Sequence, residues 1–298
     1  MTGSAHAKII LIGEHSVVYG HKAMAMPLFE LTTETTLLKS QENYVESALF
    51  SGKTKDAPPT LEPLKELIDS LQETYGLSPH LHTVQSTIPI GAGFGSSAAL
   101  AASIVRAYRS AYDLNINEEK LFEWVQFFEK LTHVNPSGID ALSVIHDTPW
   151  VFSKEEKSPL QMTLQSYLVI ADTLERTPTR ESVANVARQK SEAFFTPTLN
   201  LLAAASEKAI DTITQKDVAT LGILMDRFMD GLRQLGLSTD TIETYIRTAR
   251  EYGALGAKLT GGGMGGCVIA LAPTRVKAKA IANALEKNHG APVWISRL

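Results

Sequence analysis

The chain has 298 residues, 44% of them hydrophobic and 20% charged, with a formal net charge of −4. That is enough apolar material for a sizeable core, which excludes disorder, and the length suits one large domain or two ordinary ones. The mildly acidic balance, with no basic stripe, excludes nucleic acid as a default partner. The single cysteine, Cys267 in the apolar run GGCVIALA, excludes an internal disulfide and reads as a buried structural thiol in a reducing compartment.

In chain order, KIILI (8–12) predicts a strand, and GEHSVVYG turns into a second apolar stretch. Glu14 and His15 interrupt this run. It is too short for a membrane span and lacks a signal-peptide cleavage pattern, so neither membrane nor export is expected and the location is expected to be cytoplasmic. ELTTETTLLKS alternates as a strand does, and SGKTKDAPPT (51–60) has loop composition. LEPLKELIDSLQETYG predicts a helix ending at Gly76, and HLHTVQSTI a strand leading into PIGAGFGSSAAL (89–100). A helix is expected over Ser97–Tyr112, and a second one after Asn117, whose side chain can cap it. In NPSGID, Asn135 is a good N-cap and Pro136 suits a first helical position.

The second half begins with a strand at SYLVIADT (166–173). Helical patterns follow near 181–195, 198–215, 217–235 and 239–252. GALGAKLTGGGMGGCVIALA reads as strand, glycine turn, strand, with a helix near 275–288 and a last strand at APVWISRL. Strands spread along the chain and mixed with helices predict an α+β fold in two domains, 1–160 and 161–298, divided in the polar stretch SKEEKSPLQ.

The glycine loop is the strongest chemical signal. Gly91, Gly93 and Gly95 let backbone N–H groups point inward, and the following helix adds unpaired N–H groups and the positive end of its dipole, which together suit a phosphate chain. A tight strand-to-helix turn explains the glycines equally well. Ser96 and Ser97 tip the balance, because a hydroxyl at a helix start can also reach Mg²⁺. Other phosphate and hydrolase signatures fail. There is no G-x-x-x-x-G-K-[ST], and GGGMGG (261–266) precedes a strand where a dinucleotide fingerprint needs a helix. No G-x-S-x-G surrounds the serines, and HLH (80–82) on a strand is a poor zinc site.

Lys8, Glu14, His15, Glu129 and Asp140 are polar residues in apolar or tightly turning places. Singly, each has a plain structural reading: an exposed strand end, a satisfied interior histidine, a solvated helix residue, a carboxylate complementing a helix start.

Together, KIILIGEHSVVYG, PIGAGFGSSAAL, HVNPSGIDA and KLTGGGMGG resemble, in order and spacing, the superfamily of kinases acting on galactose, homoserine, mevalonate and phosphomevalonate. Within it the chain is most similar to the short bacterial mevalonate kinases, GEHSVVYG being the discriminating stretch. Ser16 stands where alanine is usual, and Phe94 where leucine is. The resemblance implies an N-terminal ribosomal-protein-like βαβ domain, a C-terminal ferredoxin-like domain and an active site in the cleft between them. It implies that Gly91, Ala92, Gly93, Phe94, Gly95, Ser96 and Ser97 wrap the ATP triphosphate, that Ser97 and Glu129 hold Mg²⁺, and that GGGMGG is a turn beside the phosphate loop. It makes Asp140 the base and Lys8 the neighbour that keeps it ionised, with Glu14 and His15 as substrate contacts and, from the more loosely matching segment ADTLERTPTRESV, Thr173, Thr179 and Arg180 as well. The implied reaction gives 5-phosphomevalonate and ADP, and the resemblance suggests a homodimer. Two alternatives stay open. A sister kinase such as phosphomevalonate kinase should need extra cations in the acceptor site, where GEHSVVYGHK offers only Lys22. A non-catalytic nucleotide-binding regulator would not need Lys8, Glu129 and Asp140 together.

Overall fold

A computed structural model of the protein describes residues 1–133 and 136–298. The chain divides into two compact units. The first is built from Met1–Lys8, Pro27–Pro89 and Gly95–Asp147, and the second from Ile9–Met26, Ile90–Phe94 and Thr148–Leu298.

Strand β1 (Thr2–Ile12) and the long strand β2 (Ala23–Lys39) contribute residues to both units. In the first unit β3 (Tyr44–Glu46) and β4 (Ser51–Lys53) form a small hairpin, followed by α1 (Glu62–Tyr75) and β5 (His80–Ser86). Helices α2 (Ser96–Tyr112), α3 (Glu118–Thr132) and α4 (Ile139–Ile145) complete it. β5 pairs antiparallel with Thr33–Lys39 of β2 and parallel with β3. Asn117 caps α3 by accepting from the Lys120 N–H, as its position predicts. Asn135 lies outside the described residues, and Pro136 is not helical: α4 starts only at Ile139, with Gly138 at its N-cap in the left-handed region. The segment 51–60, with loop composition, holds β4 and two short 3₁₀ turns.

The alanine run of α2 is what positions the site. Ala98, Ala99, Ala101 and Ala102 are fully buried, and small side chains let the backbone of β1 approach closely. A Cβ on Gly3 would stand 2.2 Å from the Ala107 nitrogen, whereas the side chain of Lys8 lies against Gly95. Five strand residues advance roughly 17 Å and twelve helical residues about 18 Å, so β1 runs back along α2 and delivers Lys8 to the helix N-terminus.

The second unit adds β6 (Trp150–Phe152), which pairs with Ala23–Ala25 of β2, and β7 (Lys157–Pro159), its hairpin partner. Then follow β8 (Tyr167–Asp172), helices α5 (Thr179–Arg188), α6 (Phe195–Thr214), α7 (Val218–Gln234) and α8 (Asp240–Glu251), the hairpin β9 (Gly256–Thr260) and β10 (Cys267–Ala272), α9 (Arg275–His289) and β11 (Val293–Arg297). The sheet order β11-β8-β10-β9, all antiparallel, numbers 4-1-3-2 within this set. With helices after β8 and β10, that is the ferredoxin-like arrangement. β8, β9 and β10 are almost wholly buried and mostly apolar, with Asp172 of β8 and Lys258 and Thr260 of β9 as buried polar residues.

Candidate active site

In the first unit, Gly95 takes φ 71° and ψ 34° and turns the chain into α2 without any side-chain cap. The first N–H groups of α2 are therefore open to an anion. Four polar side chains converge near this end. Ser97, in the first turn of α2, donates from Oγ to Glu129 Oε1 at 2.6 Å. Glu129 comes from α3 and is 2% exposed. Lys8 Nζ lies 2.7 Å from Asp140 Oδ1, the lysine side chain buried and the carboxylate 37% exposed. Burial pushes the Glu129 carboxyl above the usual carboxylate range, and the negative charge of Asp140 pushes it further, while Ser97, His133 and Lys8 oppose.

The Glu129 carboxylate and the half-open Ser97 hydroxyl beside it could together hold a cation. One carboxylate and one hydroxyl suit Mg²⁺, which keeps waters and takes phosphate oxygens for the rest of its shell. Among the described residues no group of three or more His, Cys, Asp or Glu side chains could hold a metal, so the softer, all-protein sites have no candidate there.

The loop residues that fall in the second unit alternate. Gly91 and Gly93 are exposed, with φ 72° and 85°, whereas Ala92 and Phe94 are buried. Phe94 meets Trp294 edge-on at 5.5 Å between ring centroids, and the Ala92 carbonyl faces Cys267 Sγ at 3.6 Å. The loop is thus anchored by its side chains with its glycine backbone presented outward. The GGGMGG turn lies beside it: a Cβ at Gly93 would stand 3.9 Å from Gly261 Cα. Cys267 is buried, and burial raises its thiol well above the ordinary value, as expected of a structural cysteine.

Glu14 and His15, also in the second unit, form the turn after β1. His15 adopts φ 59°, uncommon for a residue other than glycine. Its Nε2 lies 2.8 Å from the Gly262 carbonyl oxygen, and burial lowers its pKa. Glu14 is 1% exposed and pairs with Lys258. Thr179 starts α5 close to Gly262, and both it and Arg180 are exposed. Thr173 is instead committed to the glycine turn, its hydroxyl donating to the Gly266 carbonyl at 2.6 Å.

Sequence reasoning missed three groups. Lys258 has no exposed surface at all. Arg176 forks onto Asp172, both bonds 2.7 Å, and donates to the Ile90 carbonyl at the start of the glycine loop. Glu175 accepts from Thr239 and Thr241. Only Lys258 had a signal, a lone lysine in an otherwise apolar strand.

Comparison with known proteins places this architecture. Residues 63–147 match the GHMP kinases N terminal domain and residues 206–291 match the GHMP kinases C terminal. The class is a two-domain small-molecule kinase, and membership implies ATP use. The mevalonate kinase of Pyrococcus furiosus is 32% identical, over 97% of this chain and 94% of that protein. A crystal structure of mevalonate kinase from methicillin-resistant Staphylococcus aureus is 30% identical, with TM-score 0.78 over all of this chain and 98% of that one. The L. major enzyme in complex with R-mevalonate shares the fold at TM-score 0.86 and 22% identity, over all of this chain and 96% of that one. The chain belongs to the mevalonate kinases of the GHMP kinase family. Among the described residues no helix is long and apolar enough to cross a membrane.

Proposed function

We propose that the protein transfers the γ-phosphoryl group of ATP to the primary alcohol of (R)-mevalonate, giving 5-phosphomevalonate and ADP. The observation that carries the reading is the Lys8–Asp140 pair at the open end of α2, beside Ser97 and Glu129. Asp140 is the base. An aspartate is far too weak to ionise an alcohol beforehand. In phosphoryl transfer the acceptor hydroxyl becomes acidic only as its oxygen bonds to phosphorus, so a carboxylate can take the proton late. Lys8 balances the charge of Asp140 and adds positive potential where negative charge is transferred.

The backbone of Gly91–Ser97 lines the triphosphate, with Gly95, Ser96 and Ser97 offering the first N–H groups of α2. Ser97 and Glu129 would hold Mg²⁺, which when bound neutralises phosphate charge. Glu14, His15 and Thr179 take the acceptor. The buried single thiol supports a reducing compartment, and we place the enzyme in the cytoplasm.

The test is ADP release over a panel of mevalonate, phosphomevalonate, galactose and homoserine with Mg-ATP. Preferred turnover of mevalonate is expected. Preference for another acceptor would overturn the substrate assignment, and ATP binding without turnover of any would overturn the catalytic one.

A further inference from the structure

Two residues of β9 and one of the turn after it, Lys258, Thr260 and Gly262, grip the segment that ends β1. Lys258 Nζ donates to Glu14 Oε1 at 2.5 Å, Thr260 Oγ1 donates to the Ile10 carbonyl at 2.8 Å, and the Gly262 carbonyl meets His15 Nε2 at 2.8 Å. Alternate strand residues share a face, so Lys258 and Thr260 present their side chains together to this segment, and the Gly262 carbonyl extends the contact to His15. Lys258 is the unusual member. It has no solvent exposure, its ammonium also donates to the Leu259 carbonyl at 2.7 Å, and it lies 5.5 Å from the centre of the Phe228 ring. A fully buried ammonium is costly unless paired and hydrogen-bonded, and apolar neighbours would fill an ordinary core strand with less penalty.

We infer that Lys258 is a positioning residue for acceptor binding, holding the buried Glu14 carboxylate in place beside His15 so that this turn is presented preformed. The inference rests on the functional reading above, which makes Glu14 and His15 acceptor contacts. Lys258 does not itself touch the acceptor; it acts through Glu14. A residue that only supported the core would affect stability and leave the acceptor KM alone.

The test is a double-mutant cycle of Lys258→Met and Glu14→Gln, reading kcat, the KM for mevalonate, the KM for ATP and the thermal midpoint, with Lys258→Arg as the charge-conserving variant. Misplacing a binding group by a fraction of an ångström to one ångström costs on the order of tenfold to a hundredfold. Lys258→Met should therefore raise the mevalonate KM about tenfold or more and the ATP KM less than about twofold. In the Glu14→Gln background the same substitution should change the mevalonate KM by less than about twofold, because its target is already gone. Lys258→Arg should recover part of the loss. If Lys258→Met does not fold, the double variant compared with Glu14→Gln, and Lys258→Arg compared with wild type, decide the point. The inference is overturned if folded Lys258→Met keeps its mevalonate KM, if both KM values rise together, or if Lys258→Met acts undiminished in the Glu14→Gln background. Wild type that phosphorylates no mevalonate overturns the functional reading and the inference together, which separates the two failures.

Discussion

Lys8 Nζ stands 2.7 Å from Asp140 Oδ1, and the two partners differ in exposure: the lysine side chain is 5% exposed and the aspartate 37%. The lysine packs against Gly95, where an added Cβ would stand 3.0 Å from Lys8 Cγ, while the carboxylate keeps an open side. That asymmetry is what a base needs: a fixed counter-charge behind it and access in front.

Asp140→Asn keeps the shape of the side chain but removes its charge and its capacity to accept a proton. Turnover should fall by about 10²–10⁴-fold, the usual span of general-base effects, with ATP affinity little changed. Steady-state kinetics with mevalonate, paired with nucleotide titration, checks this. Turnover within about threefold of wild type would remove Asp140 from the mechanism.

Gly95 and Gly93 should respond differently to alanine. At Gly95 the added Cβ would stand 3.0 Å from Lys8 Cγ at φ +71°, so both backbone strain and displacement of Lys8 follow. At Gly93, with φ +85°, the nearest atom is Gly261 Cα at 3.9 Å, leaving strain of about 1–2 kcal/mol alone. Thermal unfolding with and without Mg-ATP should show Gly95→Ala losing both its apo midpoint and the rise that ligand adds. Full retention of that rise in both variants would make the loop packing architecture.

At the proposed Mg²⁺ site, Ser97→Ala and Glu129→Gln should each raise the Mg²⁺ concentration needed for half-maximal rate, since each would remove an oxygen donor or its charge. Burial holds the Glu129 carboxyl above its usual range, favouring the protonated form, and a metal needs the ionised one. The wild-type Mg²⁺ requirement should therefore increase as pH falls, and Glu129→Gln should lose that dependence. Titrating Mg²⁺ at fixed ATP across pH reads both.

The histidines predict acid sensitivity. Burial lowers the pKa of His6, His15, His80, His82 and His146, with His82 brought from 6.5 to about 4. Between those two values the unfolded chain binds a proton that folded His82 does not, so stability rises with pH through the window, is fully present above 6.5 and is lost as pH falls towards 4. At about 1.4 kcal/mol per unit the loss from His82 is on the order of 3 kcal/mol. Urea unfolding at pH 7 and pH 5 should show a clear drop, and His82→Gln should reduce its size. An equal drop in that variant would place the sensitivity on the other four.

Local chemistry was legible in the sequence wherever it acts locally. Asn117 announces α3 because an Asx side chain reaches its own helix's N–H groups. Gly76 ends α1 in the left-handed region, and the run from Gly256 to Ala272 can only be a hairpin about its glycines. β3, β4, β6 and β7 escaped notice because three residues carry no periodicity and become strands only by pairing with neighbours. The family resemblance implies that Lys8 and Asp140 are neighbours, and their 2.7 Å contact depends on β1 running back along the alanine face of α2. Glu14 and Lys258, 244 positions apart, leave no mark on each other's sequence surroundings. An ion pair of that kind is decided by burial: each charge needs the other only once folding has taken both from water, and that requirement exists in the tertiary structure alone.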